Sequence, residues 1–330
     1  MTYTLNIVTH NSDTFLDEVL KHCWLQRHRP QSVIVIDNAS RDETLSILGA
    51  HQQKHPELTV LRNHSNVGFS KAHNQGIALS MRKGVDAVFL LNPDVLLQSD
   101  CARILISELR QNDRIGSVSP FLYRMGSQRD ALIDTTGLLL KSSLRVVDRG
   151  AGQHDRSQYA TGPVLGGSAA AVLYRLLALE SIRWNEEVFD EQFFAYKEDV
   201  DVALRLLARG WQHWFVSEAT GSHYRSHRSG TMAEILRQRR QRSQRTRQYS
   251  YRNHVWLIVK NIPVSVLLRQ LPWIVLAEAM QLFYFMVTEP KTVLILVDAV
   301  RGLGCMVSKR RHALTSQSAP ALKKWIQLGI

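Results

Sequence analysis

Hydrophobic and polar positions alternate along the first hundred residues in two rhythms. Short apolar runs at 3–9 (YTLNIVT), 33–37 (VIVID), 58–62 (LTVLR) and 86–91 (DAVFLL) read as strands, most of them apolar enough to be buried on both faces. Between them the period lengthens. In 13–25, Leu16, Val19, Leu20, Cys23 and Trp24 fall at i, i+3, i+4, i+7 and i+8 and form one helical stripe. Ser40 and Glu43 have the spacing of a capping box, which predicts a helix opening there. A third helix is expected from Ser70 to Arg82, stopping at Gly84. Strands alternating with helices predict an α/β fold with a doubly wound, mainly parallel sheet.

Such sheets bind ligands beyond the carboxyl ends of their strands. Polar residues gather there in this chain: Thr9-His10-Asn11, Asp37-Asn38-Ala39-Ser40, and Asn92-Pro93-Asp94. Each could be turn chemistry alone, since Asn and Asp favour loops. All three share one sheet edge. The turn after the first strand, THNSDTF, lacks the glycines of a dinucleotide fold, and no Walker A sequence occurs. A bound pyrophosphate would need another source of positive charge. A divalent cation on a strand-end carboxylate supplies it, and Asp94 stands in position to hold one; hard oxygen ligands suit Mg²⁺ or Mn²⁺.

Further along, EDVDVALRLLARG (198–210) carries apolar residues at 200, 203, 204, 207 and 208, with Gly210 where a helix-terminating glycine belongs. Glu198, Asp199 and Asp201 crowd its first turn, where acids complement the helix dipole, and Asp201 is spaced to pair with Arg205. A catalytic role for these acids does not follow from the helix alone.

The blocks VIDNASRDET (35–44), NHSNVGFSKAHNQGI (63–77), LLNPDV (90–95) and FFAYKEDVDVALRLLARGW (193–211) together resemble family 2 glycosyltransferases, over roughly residues 3–255. Within that family the chain is most similar to the bacterial rhamnosyltransferase-like branch that builds cell-surface polysaccharides. The resemblance implies the GT-A fold, a Rossmann-like nucleotide-sugar domain, and an inverting, metal-dependent transfer. It places Thr9, Asn11 and Asp37 at the nucleoside pocket. Asn66, Gly68, Phe69 and Asn74 fall in the block that closes over the nucleotide. Asn92 and Asp94 occupy the DxD position, where the last acid contacts the metal; the first acid is Asn here, which removes one negative charge from the site. Asp199 becomes the general base, with Glu198 orienting it or touching the acceptor, and Asp201 stays structural. Gly166, Gly167 and Ser168 line the sugars. His223 falls where relatives supply a further metal or phosphate ligand, and Arg225, His227 and Arg228 could meet phosphate. Trp184 is a candidate for stacking on a sugar ring.

The chain has 330 residues, a formal net charge of +12 and 45% hydrophobic residues, enough for one large domain and an appendage. Residues 1–230 are expected to form the transferase domain and 231–330 a basic and apolar helical region. Seven arginines lie in 234–252 against the single acid Glu234, so a cationic helical segment is expected. No nucleic-acid-binding motif accompanies it, which argues against nucleic acid as partner. A non-catalytic basic adaptor is the rival class. Apolar runs follow at 255–268, 271–287 and 292–300. The middle run has seventeen residues, with Pro272 near its start and Glu278 near its centre, short and charged for a membrane span. Helices lying in the interface, with arginines on anionic headgroups, fit better. Three scattered cysteines and the absence of a signal-peptide pattern point to the cytoplasm, with the enzyme peripheral on the inner face of the cell membrane. There it would reach a lipid-linked or growing saccharide acceptor. The implied donor is dTDP-L-rhamnose; a UDP-hexose donor, or transfer to polyprenyl phosphate, are the alternatives.

Overall fold

The computed structural model describes residues 1–125, 132–224, 244–289 and 295–327. Four strands, β1 (Tyr3–Thr9), β2 (Ser32–Asp37), β3 (Leu58–Arg62) and β4 (Ala87–Leu91), lie in the order β4-β1-β2-β3 and are all parallel. β1, β2 and β4 are buried along their whole length. This is why they read as unbroken apolar runs. The intervening helices are α1 (Asp13–Trp24), α2 (Thr44–Lys54) and α3 (Phe69–Arg82).

Beyond residue 91 the sheet becomes mixed. Strands β5 (Val95–Leu97), β6 (Ile115–Arg124), β7 (Ile133–Thr135), β10 (Gly162–Val164), β11 (Ala171–Arg175) and β12 (Gln212–His223) extend it, and β8 (Leu138–Leu140) with β9 (Val146–Asp148) forms a separate hairpin. β11 inserts antiparallel between β4 and β6, while β6 and β12 are parallel. Helices α4 (Cys101–Gln111), α5 (Leu176–Ser181) and α6 (Glu198–Ala208) pack against it. Gly210 follows α6 with φ +83°, as a helix-terminating glycine should.

One start signal misled. α2 begins at Thr44, and no side chain caps it. The hydroxyl of Ser40 instead donates to the buried Asp37 carboxylate at 2.5 Å, and Glu43 accepts from Ser46. The Ser40 hydroxyl is thus committed both ways, donating to Asp37 and accepting from the Asn11 amide, so the box never forms.

Four helices follow: α7 (Gln244–Asn261), α8 (Val264–Thr288), α9 (Ile295–Ala313) and α10 (Ser318–Gln327). Of the arginine-rich stretch only its end lies in α7; residues 225–243, including Arg225, His227, Arg228, Arg237, Arg239, Arg240 and Arg242, fall outside the described residues, as do the side chains of Arg245 and Arg247. Pro272 does not open the middle apolar run: α8 passes through it for 25 residues. By length and composition alone α8 is therefore long and apolar enough to cross a membrane.

The C-terminal helices share a core with the transferase body. Trp256, Leu257, Ile262, Val266, Ile274, Met306 and Leu322 pack with Phe193, Val200, Ala203 and Leu204. Beside this core lies a buried ionic cluster. Lys260 of α7 reaches Asp190 at 2.8 Å and Asp201 at 2.9 Å, Lys309 of α9 reaches Asp190 at 2.6 Å, and Arg205 pairs with Asp201 at 2.8 Å. Asn261 also donates to Asp201. Burial works against the Asp201 charge, but Arg205 and Lys260 outweigh it and hold the carboxyl at about 2. Each charged member faces an opposite charge, the condition under which buried charges are tolerated.

Candidate active site

The site sits where β1 separates β2 from β4, the switch point of a doubly wound sheet. Thr9 ends β1 and its hydroxyl donates to Asp37 at 2.9 Å, with Asp37 buried at the end of β2. Asn11, at φ +51°, ties the two turns together: its amide donates to Ser40 and its side chain accepts from the Arg41 amide. The Asp37 carboxylate thus braces both loops from within.

The glycine block closes the same edge. Asn66 accepts from the Gly68 amide, and Gly68 has φ +89°. A Cβ on Gly68 would lie 2.5 Å from the Phe194 ring and 2.8 Å from its carbonyl oxygen. Only glycine satisfies both constraints. The Phe194 carbonyl then accepts from the amides of Phe69 and Ser70, joining α3 to the loop ahead of α6. Asn74 points elsewhere: its side chain holds residues 188–191, donating to the Phe189 carbonyl and accepting from the Val188 and Phe189 amides.

On the other side of β1, Asn92 donates its amide to the Ala170 carbonyl at 2.9 Å, and the neighbouring Ala169 amide donates to Asp199 at 3.3 Å. The stretch 168–170, which includes the buried Ser168, therefore touches both the Asn92-Pro93-Asp94 turn and the acid pair on α6. Gly166 and Gly167 make this approach possible. A Cβ on Gly166 would lie 2.5 Å from the Ala203 Cβ of α6, and one on Gly167 would lie 2.7 Å from Val172. Their smallness admits protein.

Asp94 and His223 meet across the β5–β12 pairing, Nε2 to Oδ1 at 3.3 Å. Asp134, unmarked by any sequence pattern, holds the other ring nitrogen at 2.7 Å. Burial opposes the charged ring, but hydrogen bonds and charge from Asp134 and Asp94 outweigh it and lift His223 to about 9. Asp94 Oδ1 is buried and, beyond that ion pair, makes no hydrogen bond among the described residues. Among the described residues no three His, Cys, Asp or Glu side chains are grouped to enclose a metal alone. The under-satisfied Asp94 oxygen nevertheless fits a divalent cation that takes its remaining ligands from a diphosphate, with the His223 ring joining it once the ion displaces the ring proton.

Asp199 is half-buried, while Glu198 is fully buried with Oε2 unpartnered among the described residues. Burial and the neighbouring Asp199 push Glu198 up to about 8. Burial also raises Asp199; Lys197 opposes this and Asp148 adds to it. Two carboxyls with elevated proton affinity at a strand edge have the character of an acid–base site.

The loop ahead of α6 is strained, with φ of +62° at Phe194, +74° at Tyr196 and +72° at Lys197. Asn253 of α7, fully buried, holds it by donating to the carbonyls of Phe193, Ala195 and Tyr196 at 2.8, 2.9 and 2.7 Å. Asn253→Ala is expected to lower kcat about tenfold or more, from the about 1–3 kcal/mol cost of each orphaned carbonyl, with a smaller change in donor KM. Steady-state kinetics separate this from simple unfolding, which scales the active fraction and leaves KM and the pH profile alone. Trp184 stacks on His312 at 5.1 Å, a contact within the protein.

A sheet of this order, with a nucleotide-type edge and a carboxyl pair on the facing helix, defines a GT-A glycosyltransferase fold. The chain belongs to glycosyl transferase family 2, whose model matches residues 4–170. It is 28% identical over 240 residues to the N-acetylglucosaminyl-diphospho-decaprenol L-rhamnosyltransferase of Mycobacterium tuberculosis, spanning 68% of this chain and 76% of the relative. Two solved structures share the fold. GalNAc-T7 with UDP, GalNAc and Mn²⁺ superposes with a TM-score of 0.61 at 12% identity, over 79% of this chain and 48% of that one, so this chain spans about half its length. The mannosyltransferase PcManGT of Pyrobaculum calidifontis, in complex with GDP-Man and Mn²⁺, gives 0.54 at 16% identity, over 96% of this chain and 86% of that one.

Proposed function

We propose that this glycosyltransferase inverts the anomeric centre as it moves L-rhamnose from dTDP-rhamnose to a lipid-linked or growing cell-surface saccharide. It would work at the cytoplasmic face of the membrane with Mg²⁺ or Mn²⁺. The observation that carries the reading is the backbone bridge at Ala169–Ala170, which brings Asp199 and the Asn92–Asp94 turn to one edge. The rhamnosyltransferase relative supports the sugar and the lipid-linked acceptor.

In this mechanism Thr9, Asn11 and Asp37 shape the nucleoside pocket, and Asn66, Gly68 and Phe69 close over it. Asn92 faces the nucleotide, and Asn74 serves by holding the 188–191 loop in place. Asp94 would hold the divalent ion, with His223 as a further ligand once the ion displaces its ring proton, and the ion, when bound, would offset the charge on the departing diphosphate. Asp199 accepts the acceptor hydroxyl's proton, and the freed oxygen attacks the anomeric carbon opposite the leaving group. Glu198, protonated near neutrality, sets the electrostatics of its neighbour. Ser168 and the 166–167 backbone wall off the sugars.

We take residues 1–230 as the transferase unit and 231–330 as its membrane-associated appendage, peripheral on the bilayer. Glu278, midway along α8, supports this: it accepts from Arg145 at 2.7 Å and from Tyr251 at 2.8 Å, binding α8 to the body beside the site. A helix anchored that way lies along the surface.

Thermal-shift titration with dTDP- and UDP-sugars plus Mn²⁺ tests the donor. The largest stabilisation is expected from dTDP-rhamnose; a larger one from a UDP-hexose would reassign it.

A further inference from the structure

α8 is amphipathic in an unusual sense. Its 25 residues include two charges, Arg269 and Glu278. Glu278, Gln281 and the buried Val266, Ile274 and Phe285 share one arc at 100° per residue, facing the protein. The remaining surface exposes Leu268, Leu271, Val275, Leu276, Met280 and Phe283, a continuous apolar face larger than solubility requires. At its N-terminal edge a groove of about 260 Å³ opens between α8, α10 and the β8–β9 turn. Ser142, Arg269, Gln270 and Lys323 supply its polar wall, Val266 and Ile326 its floor, and Trp273 the rim. Among the described residues no carboxylate lines it, and neither Arg269 nor Lys323 has an ion-pair partner. Trp273, 58% exposed, belongs both to the groove and to the apolar face.

We propose that this groove binds the phosphate of an anionic phospholipid headgroup while the adjoining face of α8 rests among the acyl chains. Two cations without an ion-pair partner among the described residues, together with hydrogen-bond donors from Ser142 and Gln270, meet a phosphodiester. A tryptophan marks the boundary between headgroup and hydrocarbon, where its ring is favoured. The charge complementarity names the occupant: a second copy of an apolar face would leave these cations unanswered. The inference deepens the peripheral-membrane reading and rests on it.

The test uses the full chain with sedimentable vesicles of phosphatidylcholine alone or with phosphatidylglycerol, at fixed ionic strength. The wild type should partition onto the anionic vesicles. The Arg269→Gln/Lys323→Gln pair should lose about tenfold or more, at about 1 kcal/mol per cation near the surface. A control pair, Lys54→Gln/Arg82→Gln, removes the same charge from exposed positions on α2 and α3 and should lose much less. Equal losses in both pairs, or none in either, would overturn the groove while leaving membrane association standing. Failure of the wild type to bind any vesicle would remove both. Inorganic phosphate that displaced the protein at constant ionic strength would make free phosphate the ligand and sink the lipid assignment. Self-association abolished by Trp273→Glu, with vesicle binding unchanged, would mean a second copy covers the face.

Discussion

Asp199→Asn is expected to lower kcat by about 10²–10⁴-fold, the range for loss of a positioned general base, while nucleotide affinity changes little. The substitution preserves size, and its one remaining oxygen can keep the contact with the Ala169 amide while the bond from the Val200 amide is given up. Full transfer activity in that variant would take the base away from Asp199. The pH dependence carries a second signature. Burial raises both acids, Glu198 to about 8, so the pair holds a proton where ordinary carboxyls have lost theirs. kcat/KM should therefore climb as Asp199 loses its proton, through a window above the usual carboxylate range. In Asp199→Asn a neighbouring negative charge is gone, so Glu198 should titrate lower. The same shift links to stability: a folded value above the unfolded one gives Glu198 a stabilising contribution present below about 4.5 and lost as pH rises through about 8. Asp201 runs the other way. Its contribution is present above 3.8 and lost as pH falls through about 2.

Chelation by EDTA is expected to cut turnover about a hundredfold or more, since such an ion supplies several kcal/mol of charge stabilisation. Adding back Mn²⁺ should restore the wild type. Asp94→Asn should resemble the chelated wild type and resist rescue, because an amide oxygen carries no charge to hold the ion. Its fold should survive: Asp94 contributes its backbone carbonyl to Tyr224, and its side-chain pairing is confined to His223. Wild-type rates unchanged in chelator would contradict the metal's role.

The parallel half of the sheet was legible because β1, β2 and β4 are buried on both faces and bear that burial as apolar runs. The three polar strand ends were legible too, since topology alone puts them on one edge. The capping signal failed because Asp37, three residues before Ser40 as Glu43 is three after, takes the Ser40 hydroxyl instead. The extent of α8 was hidden by treating Pro272 as a boundary; within an amphipathic helix the loss of one amide donor does not end the packing that holds it. Asp134 and Asn253 left no trace, because their importance comes from partners 89 and 57 to 60 residues away. Gly166 and Gly167 drew attention for the right property, absence of a Cβ, but the neighbour that needs it at Gly166 is Ala203 on the helix bearing the acid pair.

The measurement that bears most directly on this account is anomalous diffraction from crystals grown with Mn²⁺ and the nucleoside diphosphate. A single manganese peak at ligand distance from Asp94, with diphosphate oxygens completing its shell and His223 adjacent, is the predicted result. A nucleotide bound with its manganese remote from a solvent-facing Asp94 would contradict it.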